Sequence, residues 1–437
     1  MTQKTNYRTA FIIVTVLFFL WGFLTVLVDS LIPRLRDIFE LTYFQAGLVQ
    51  FAFFLAYFIF SVPAGYLLGK IGYKRGIVVG LAIMALGCLL FYPAASYRIF
   101  GIFMVGYFAL AGGMTVLQVA ANPYVAVLGS ESGASSRLNF SQAINSLGTT
   151  IAPVVGAMFL LSDAIKSPEE IELLTETERA SYYASEAATV QMPFVFLAVC
   201  IGLLALLFIF IKLPEIMEKA PKSGYLTVLK NKIVLLGVFG IFLYVGAEVA
   251  IGTYLVNYFL DMKLGSIIAE TSFLRSIPER ALGTTIENID PKAVMGSFVF
   301  MYWGGAMLGR FIGAYLTKIF NPAKVLAVFA LLAVLMLFIS MNTNGIPAMF
   351  SILSVGLFNS IMFPTIFTLT LEGHGEYKPQ ISGLLCMAIV GGAVIPPLYG
   401  FFTDLAGFKT ALLLLIVCYV YILFFGLYKR KSTLKVN

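Results

Sequence analysis

The sequence predicts an all-α membrane protein with twelve transmembrane helices in two pseudo-symmetric six-helix bundles. Three observations carry that expectation. First, 60% of the 437 residues are hydrophobic and only 12% are charged, with a mean hydropathy of +0.93; soluble domains carry about 25% charged residues. Second, apolar runs recur at 10–33, 43–68, 75–97, 99–128, 136–161, 191–212, 231–259, 293–319, 323–342, 346–371, 380–403 and 408–428, mostly long enough for a roughly 30 Å hydrocarbon core. Third, the charged stretch KLPEIMEKAPKSGYLTVLKNK divides the chain into 1–212, a linker at 213–230, and 231–437. Lipid offers the backbone no hydrogen bonds, and runs this long and uniformly apolar satisfy it as helices rather than barrel strands.

Charge orients the spans. With the N-terminus inside, inner loops, helix ends and tails hold 19 of the 29 Lys and Arg but only 5 of the 22 acids. This bias predicts a multi-pass protein of a bacterial inner (plasma) membrane with both termini cytoplasmic. The basic tail KRKSTLK then anchors at the membrane surface, and no nucleic-acid partner is expected. The outer segments 162–190 and 261–292 are polar and read as solvated caps over the outer mouth. In the first, SPEE offers an N-cap serine, an N1 proline and first-turn acids, so a short helix is predicted to start there. The first run lacks an A-x-A-like cleavage site and reads as a retained helix. Cys88, Cys200, Cys386 and Cys418 are scattered through apolar runs, which indicates small core residues rather than disulfides or a metal site. No cofactor is expected, and nothing resembles a nucleotide-binding loop or catalytic triad. An enzyme is therefore not predicted.

The two halves resemble each other. PAGYLLGKIGYKRG at 63–76 matches FIGAYLTKIFNPAK at 311–324, pairing Gly65 with Gly313 and Lys70 with Lys318. Pro123 pairs with Pro364, which sets Gln118 against Asn359. IAPVVG at 151–156 matches IPPLYG at 395–400. Duplicated halves commonly enclose a midplane site that opens alternately to each side.

Two acids lie inside apolar runs: Asp29 after FLWGFLTVLV, and Glu248 in GIFLYVGAEVAIGTYLVNYFL. A carboxylate at mid-bilayer costs about 2.5–3.5 kcal/mol, so such residues usually face a cavity and serve ions, protons or substrate. Other polar residues accompany them. Trp21, Thr25 and Asp29 share one helical face; Gln118 and Asn122 lie four apart; Gln142, Asn145 and Thr149 form a stripe; Tyr244 precedes Glu248 by four, with Asn257 further on. Amides and carboxylates suit sugar hydroxyls, which donate and accept, and Trp21 or Tyr244 offers an aromatic face for the C–H side of a ring. The same amides also serve as interhelical glue. Glu131, Arg137 and Arg310 are placed near the cytoplasmic ends, either as an inner gate or as interfacial anchors. Gly112–Gly113 and Gly391–Gly392 are expected at close helix contacts. The one histidine, His374, falls in a predicted inner loop, where a proton-relay role is not expected.

The set LWGFLTVLVDSLIPRL, LTYFQAGLVQFAFFLAYF, AANPYVAVLG, LNFSQAINSLGTTIAP, YVGAEVAIG, YWGGAMLGRFIG, LFNSIMFPTIF and MAIVGGAVIPP resembles the fucose–galactose–glucose:cation symporters of the major facilitator superfamily. GYLLGKIGYKRG looks like a degenerate form of that superfamily's loop signature, with Gly69 where an Asp is usual. The resemblance implies the major facilitator fold and hexose uptake by symport. In the fucose/proton branch, an Asp matching Asp29 and a fourth-helix Glu handle protons. Here Gln118 occupies that Glu position, and Glu248 stands where that branch has Gln. Both departures follow the sodium-linked glucose/galactose branch, which makes sodium the favoured coupling ion over a proton.

The expectation is thus a monomeric, bilayer-embedded hexose symporter. Asp29 serves as a Na+ ligand or titrating group, and Glu248, Gln118 and Asn122 take part in cation coupling. Trp21, Gln118, Gln142, Asn145, Tyr244, Glu248 and Asn359 contact sugar. A proton-linked L-fucose or other hexose carrier, an exporter of amphipathic compounds driven by protons, and a non-transporting sugar sensor are the rival readings.

Overall fold

The structure is a computed structural model that describes residues 7–38, 43–160, 173–216 and 224–434; the side chains of 28–38, 43–47, 154–160, 432–434 and five positions between 180 and 190 fall outside the description. Among the described residues every regular element is helical. In chain order these are α1 (Tyr7–Ile38), α2 (Tyr43–Ile71), α3 (Tyr73–Tyr97), α4 (Phe100–Val127), α5 (Ala134–Leu160), α6 (Glu176–Phe210) and the short α7 (Gly224–Val228). Then follow α8 (Lys232–Asp261), the short α9 (Leu264–Glu270), α10 (Ser272–Leu282) and α11 (Pro291–Gly296), and the long α12 (Val299–Ile319) and α13 (Pro322–Asn342). α14 (Gly345–Asn359) resumes after a break as α15 (Met362–Leu371), α16 (Lys378–Met387) resumes as α17 (Gly391–Ala406), and α18 (Phe408–Leu434) ends the fold. Taking each broken pair as one span gives, among the described residues, the twelve expected. Ten are long and apolar enough by composition to cross a membrane; α5 and α12, which carry the amide stripe and Arg310, complete the set.

Local chemistry sets the ends. Asn231 caps α8, its Oδ1 accepting from Ile233 N at 2.9 Å, and Asn321 caps α13 ahead of Pro322 at the first helical position. The start predicted at SPEE lies outside the described residues. A capping box at Thr175 and Glu178 opens α6, with Thr175 N donating to Glu178 Oε2 at 3.0 Å. α6 therefore begins well before residue 191 and makes part of the polar segment 162–190 helical. The second outer segment is folded too. Arg275 bridges Glu279 and Glu287, each at 2.9 Å, while Ile286 N donates to Glu279 Oε1 at 3.1 Å.

Two contact units result. Unit 1 comprises Met1–Leu128, Ile144–Gly224 and Gly375–Met387; unit 2 comprises Gly129–Ala143, Tyr225–His374 and Ala388–Asn437. Their bounds cross the division read from the sequence at two corresponding places in the repeat, the starts of the fifth and eleventh spans. Within unit 2, residues 129–143 pack on α12 and α15: Ser136 Oγ donates to Ala314 O at 2.7 Å, Ser135 Oγ meets Thr368 Oγ1 at 2.6 Å, and Asn139 Nδ2 donates to Thr365 Oγ1 at 3.1 Å. Within unit 1, Ser382 Oγ of α16 donates to Val119 O of α4 at 2.8 Å. That carbonyl is free because Pro123, four residues later, has no N–H to offer it.

Apolar helices gain little from burying apolar surface in lipid, so close backbone approach has to hold them together. The α3–α4 seam provides it through Gly80 against Gly113 and Gly87 against Gly106: a Cβ on Gly113 would lie 2.5 Å from Met84 N and 2.7 Å from Gly80 O. The α8–α17 seam does the same, where a Cβ on Gly391 would collide with the Phe242 carbonyl. The cysteines behave as small core residues, with Cys88, Cys386 and Cys418 buried and Cys200 half-buried, all free.

Gly113→Ala and Gly391→Ala should each destabilise the fold by about 1–3 kcal/mol, the usual cost of overpacking. Gly101→Ala and Gly202→Ala, which meet open space, should be silent. Fluorescence-detected size exclusion after a heat step reads both; equal survival of all four variants would contradict the close-packed seams.

Candidate functional site

In unit 2 the polar residues of four spans converge. Glu248 lies on α8 one turn after Tyr244, and the Tyr244 hydroxyl donates to Glu248 Oε1 at 2.7 Å. Tyr302 of α12 donates to the Glu248 main-chain carbonyl at 3.4 Å. Asn359, at the end of α14, donates through Nδ2 to the hydroxyls of Tyr302 at 2.8 Å and Tyr419 of α18 at 3.2 Å. Asn359, Tyr244, Tyr302 and Tyr419 are all essentially fully buried, whereas Glu248 is only partly so. The Asn359 Oδ1 is buried with no hydrogen-bond partner. A partly open carboxylate and a desolvated amide oxygen are acceptors of the kind that hydroxyl groups or a small cation satisfy.

The break beside Asn359 explains how a cation reaches this wall. Pro364 lacks the N–H that would bond Ser360 O, and Arg310 Nε donates to that carbonyl at 3.3 Å. Its Nη1 donates to Gln142 O at 3.4 Å, and the guanidinium is within electrostatic reach of Glu248. Arg310 thus stands midway along α12 as a counter-charge to Glu248, away from the helix ends where the sequence reading set it. The Gln142 side chain is buried, and it is the main-chain carbonyl that meets Arg310. Tyr244 presents no open ring face: it is 1% exposed and spends its hydroxyl on Glu248.

Unit 1 has its own polar line. Trp21 is buried edge-on against Phe18, with ring centroids 5.5 Å apart. Thr25 Oγ1 donates to Met114 Sδ at 3.3 Å, which joins α1 to α4. Gln118 Nε2 donates to the Tyr57 hydroxyl of α2 at 2.7 Å, and Asn122, one turn further, is fully buried. Asn145 Nδ2 donates to Phe18 O at 2.8 Å across a tight α1–α5 approach, where a Cβ on Gly22 would lie 2.5 Å from Asn145 O. That bond ties two helices and leaves Asn145 Oδ1 for other work. Asp29 follows Thr25 by one turn in α1, but its side chain lies outside the described residues.

The remaining gate candidates brace turns. Arg137 folds back so that Nη2 donates to Ser130 O at 2.8 Å, bracing the turn before its own helix. Glu131 Oε1 accepts from Gly373 N at 2.8 Å within unit 2.

Tyr57, Tyr302 and Tyr419 escaped the sequence reading. Tyr302 stands in the motif YWGGAMLGRFIG, but nothing in an apolar run marks which tyrosine hydroxyl faces inward. A hydrogen bond to a charged acceptor is worth about 1.5–3 kcal/mol, against about 1 for a neutral pair. With Glu248 ionised, Tyr244→Phe should therefore cost more stability than Tyr419→Phe, which loses one neutral bond from Asn359. Equilibrium unfolding in mixed micelles measures the difference, and equal losses would mean a neutral Glu248.

Comparison with known proteins agrees with this architecture. Residues 10–385 match the Major Facilitator Superfamily. The chain is 44% identical to a glucose/galactose transporter of Brucella abortus, over 99% of this chain and 96% of that one. It is 33% identical to the L-fucose-proton symporter of Escherichia coli, over 98% and 95%. The crystal structure of FucP, a Major Facilitator Superfamily transporter in the outward conformation, superposes with a TM-score of 0.84 at 33% identity, covering 97% of this chain and 99% of that one. The chain is a transporter rather than an enzyme, and it belongs to the Major Facilitator Superfamily, in its fucose–galactose–glucose:cation symporter family.

Proposed function

We propose that this chain imports a hexose of the glucose/galactose type together with a cation, sodium rather than a proton, by alternating access. The observation that carries the reading is the unit 2 acceptor set: Glu248 held by Tyr244, beside Asn359 with its unpartnered Oδ1 at a helix break. Sugar hydroxyls donate to such oxygens, and interrupted helices are where carriers of this kind bind their cargo. Relatives named glucose/galactose transporter and L-fucose-proton symporter support a sugar as that cargo.

The preference for sodium rests on chemistry. Gln118 does not titrate, and its amide is engaged by Tyr57, so a proton route has only Asp29 and Glu248 to use. Sodium, a hard cation, takes several oxygen ligands, which carboxylates, amide carbonyls and hydroxyls provide. In this reading Asp29 holds the cation, with Asn122 and Gln118 close by on α4. Trp21, Gln142, Asn145, Asn359 and Glu248 face sugar, Arg310 balances the charge of Glu248, and Glu131 and Arg137 belong to the inner closure. The protein acts as a monomer in a bacterial inner membrane with both termini in the cytoplasm. The driving force suffices: a 100 mV potential supplies about 2.3 kcal/mol per charge and a tenfold gradient about 1.4. One cation per sugar then sustains roughly 10²–10³-fold accumulation.

Uptake of labelled glucose, galactose, L-fucose and mannose into proteoliposomes, with either a sodium or a pH gradient as sole driving force, tests the proposal. Concentrative glucose or galactose uptake with sodium alone is expected, and Asp29→Asn should abolish accumulation while sparing downhill exchange. Accumulation driven by a pH gradient without sodium would replace this reading with the proton-linked one.

A further inference from the structure

The single histidine of the chain meets the cap of the helix that carries Glu248. Asn231 Oδ1 is committed to the first turn of α8, accepting from Ile233 N at 2.9 Å and Val234 N at 3.4 Å. That commitment fixes the amide orientation, so Nδ2 is the group that faces His374 Nε2 at 2.9 Å. An amide nitrogen only donates, hence His374 Nε2 accepts and the ring proton sits on Nδ1. A second proton on the ring would set N–H against N–H across this contact. The neutral ring fits the cap through Nε2, while its buried Nδ1 makes no hydrogen bond; the imidazolium would bring a donor against the Asn231 amide.

His374 also sits in the turn that receives the segment 129–143. Its neighbour Gly373 donates its N–H to Glu131 Oε1 at 2.8 Å, and Glu372 pairs with Lys429 of α18 at 3.0 Å. Glu131 and Glu372 also line one side of a cavity of about 330 Å³ together with Ser135 and Thr368, so the turn borders space that water can enter. We propose that His374 is a pH-sensitive latch: as a neutral ring it docks the turn 372–375 on the Asn231 cap and seats Glu131, and as a cation it releases both. The charge distribution assigns this face to the cytoplasm, so an acid cytosol loosens the seat of Glu131.

The charged groups around the ring are Lys429 and Glu372, Glu131 on the adjoining amide, and Lys230, Lys232, Glu376 and Lys378 flanking the two segments in sequence. Burial lowers the imidazole below its ordinary value; the carbonyls of Glu372, Leu371 and Thr370 oppose this and the Lys429 ammonium reinforces it. The sign follows. A histidine whose folded value is depressed contributes stability fully above its free value of about 6.5. That contribution is lost as pH falls through the lower folded value.

Hydrogen–deuterium exchange on the purified full-length protein between pH 5 and 8, corrected for intrinsic exchange, tests the latch. Amides at 371–378 and 229–236 should lose protection about fivefold as pH falls, the scale of a lost helix cap. Two variants separate the latch from the membrane carboxylates Asp29 and Glu248, which both retain. His374→Gln should flatten the pH dependence. Asn231→Asp still caps α8 and now accepts from the imidazolium, so its pH dependence should reverse, with protection rising in acid. A pH-independent wild type, a His374→Gln that keeps the wild-type slope, or an Asn231→Asp with unreversed sign would each overturn the proposal.

Discussion

A carboxylate surrounded by tyrosines and a distant arginine is the constraint on which unit 2 depends. An acid at this depth is costly unless partners satisfy it, and Glu248 has them: the Tyr244 hydroxyl at 2.7 Å and the electrostatic reach of Arg310. Satisfying the acid orders its surroundings. Tyr302 and Tyr419 turn inward to Asn359, and Arg310 is anchored on main-chain carbonyls of two other helices. The result is a hydrogen-bonded wall with acceptor capacity left over, at the Asn359 Oδ1 and the second Glu248 oxygen.

Prolines recur at the places where helices exchange partners. Pro123 frees Val119 O for Ser382, and Pro364 frees Ser360 O for Arg310. These prolines match each other in the sequence repeat. Both halves thus share a backbone device, a carbonyl left without its helical donor, and fill it differently: a serine hydroxyl at Val119 O and a guanidinium at Ser360 O. The two segments exchanged between contact units, 129–143 and 375–387, likewise occupy corresponding places in the repeat. Hydroxyl-to-carbonyl, hydroxyl-to-hydroxyl and amide-to-hydroxyl hydrogen bonds are among the contacts that hold them.

Much of the fold was legible in the sequence because lipid leaves few alternatives. Long apolar runs must be helices, and an acid within one must be explained, so the spans and Glu248 stood out. What depends on contacts between distant spans was not legible. The cation facing Glu248 comes from α12, about sixty residues away in sequence, and no local pattern pairs the two. Tyr302 and Tyr419 resemble any tyrosine in a membrane helix until their neighbours are known. The early start of α6 was readable from the capping pair Thr175 and Glu178, but the apolar run that marks the span begins only at residue 191. Asn145 illustrates the ambiguity of amides: its Nδ2 serves as glue to Phe18 O, while its oxygen keeps the chemistry of a ligand contact.

Coupling between the two cargoes is a free-energy link between occupancies, and it is reciprocal. Its direct measure is hexose affinity by calorimetry as a function of sodium concentration, in the wild type and in Glu248→Gln. Sodium should tighten sugar binding in the wild type by about tenfold or more, a coupling of about 1.4 kcal/mol, and the amide variant should bind sugar indifferently to sodium. A wild type whose affinity ignores sodium, or a variant that keeps the full enhancement, would contradict a linkage that runs through Glu248.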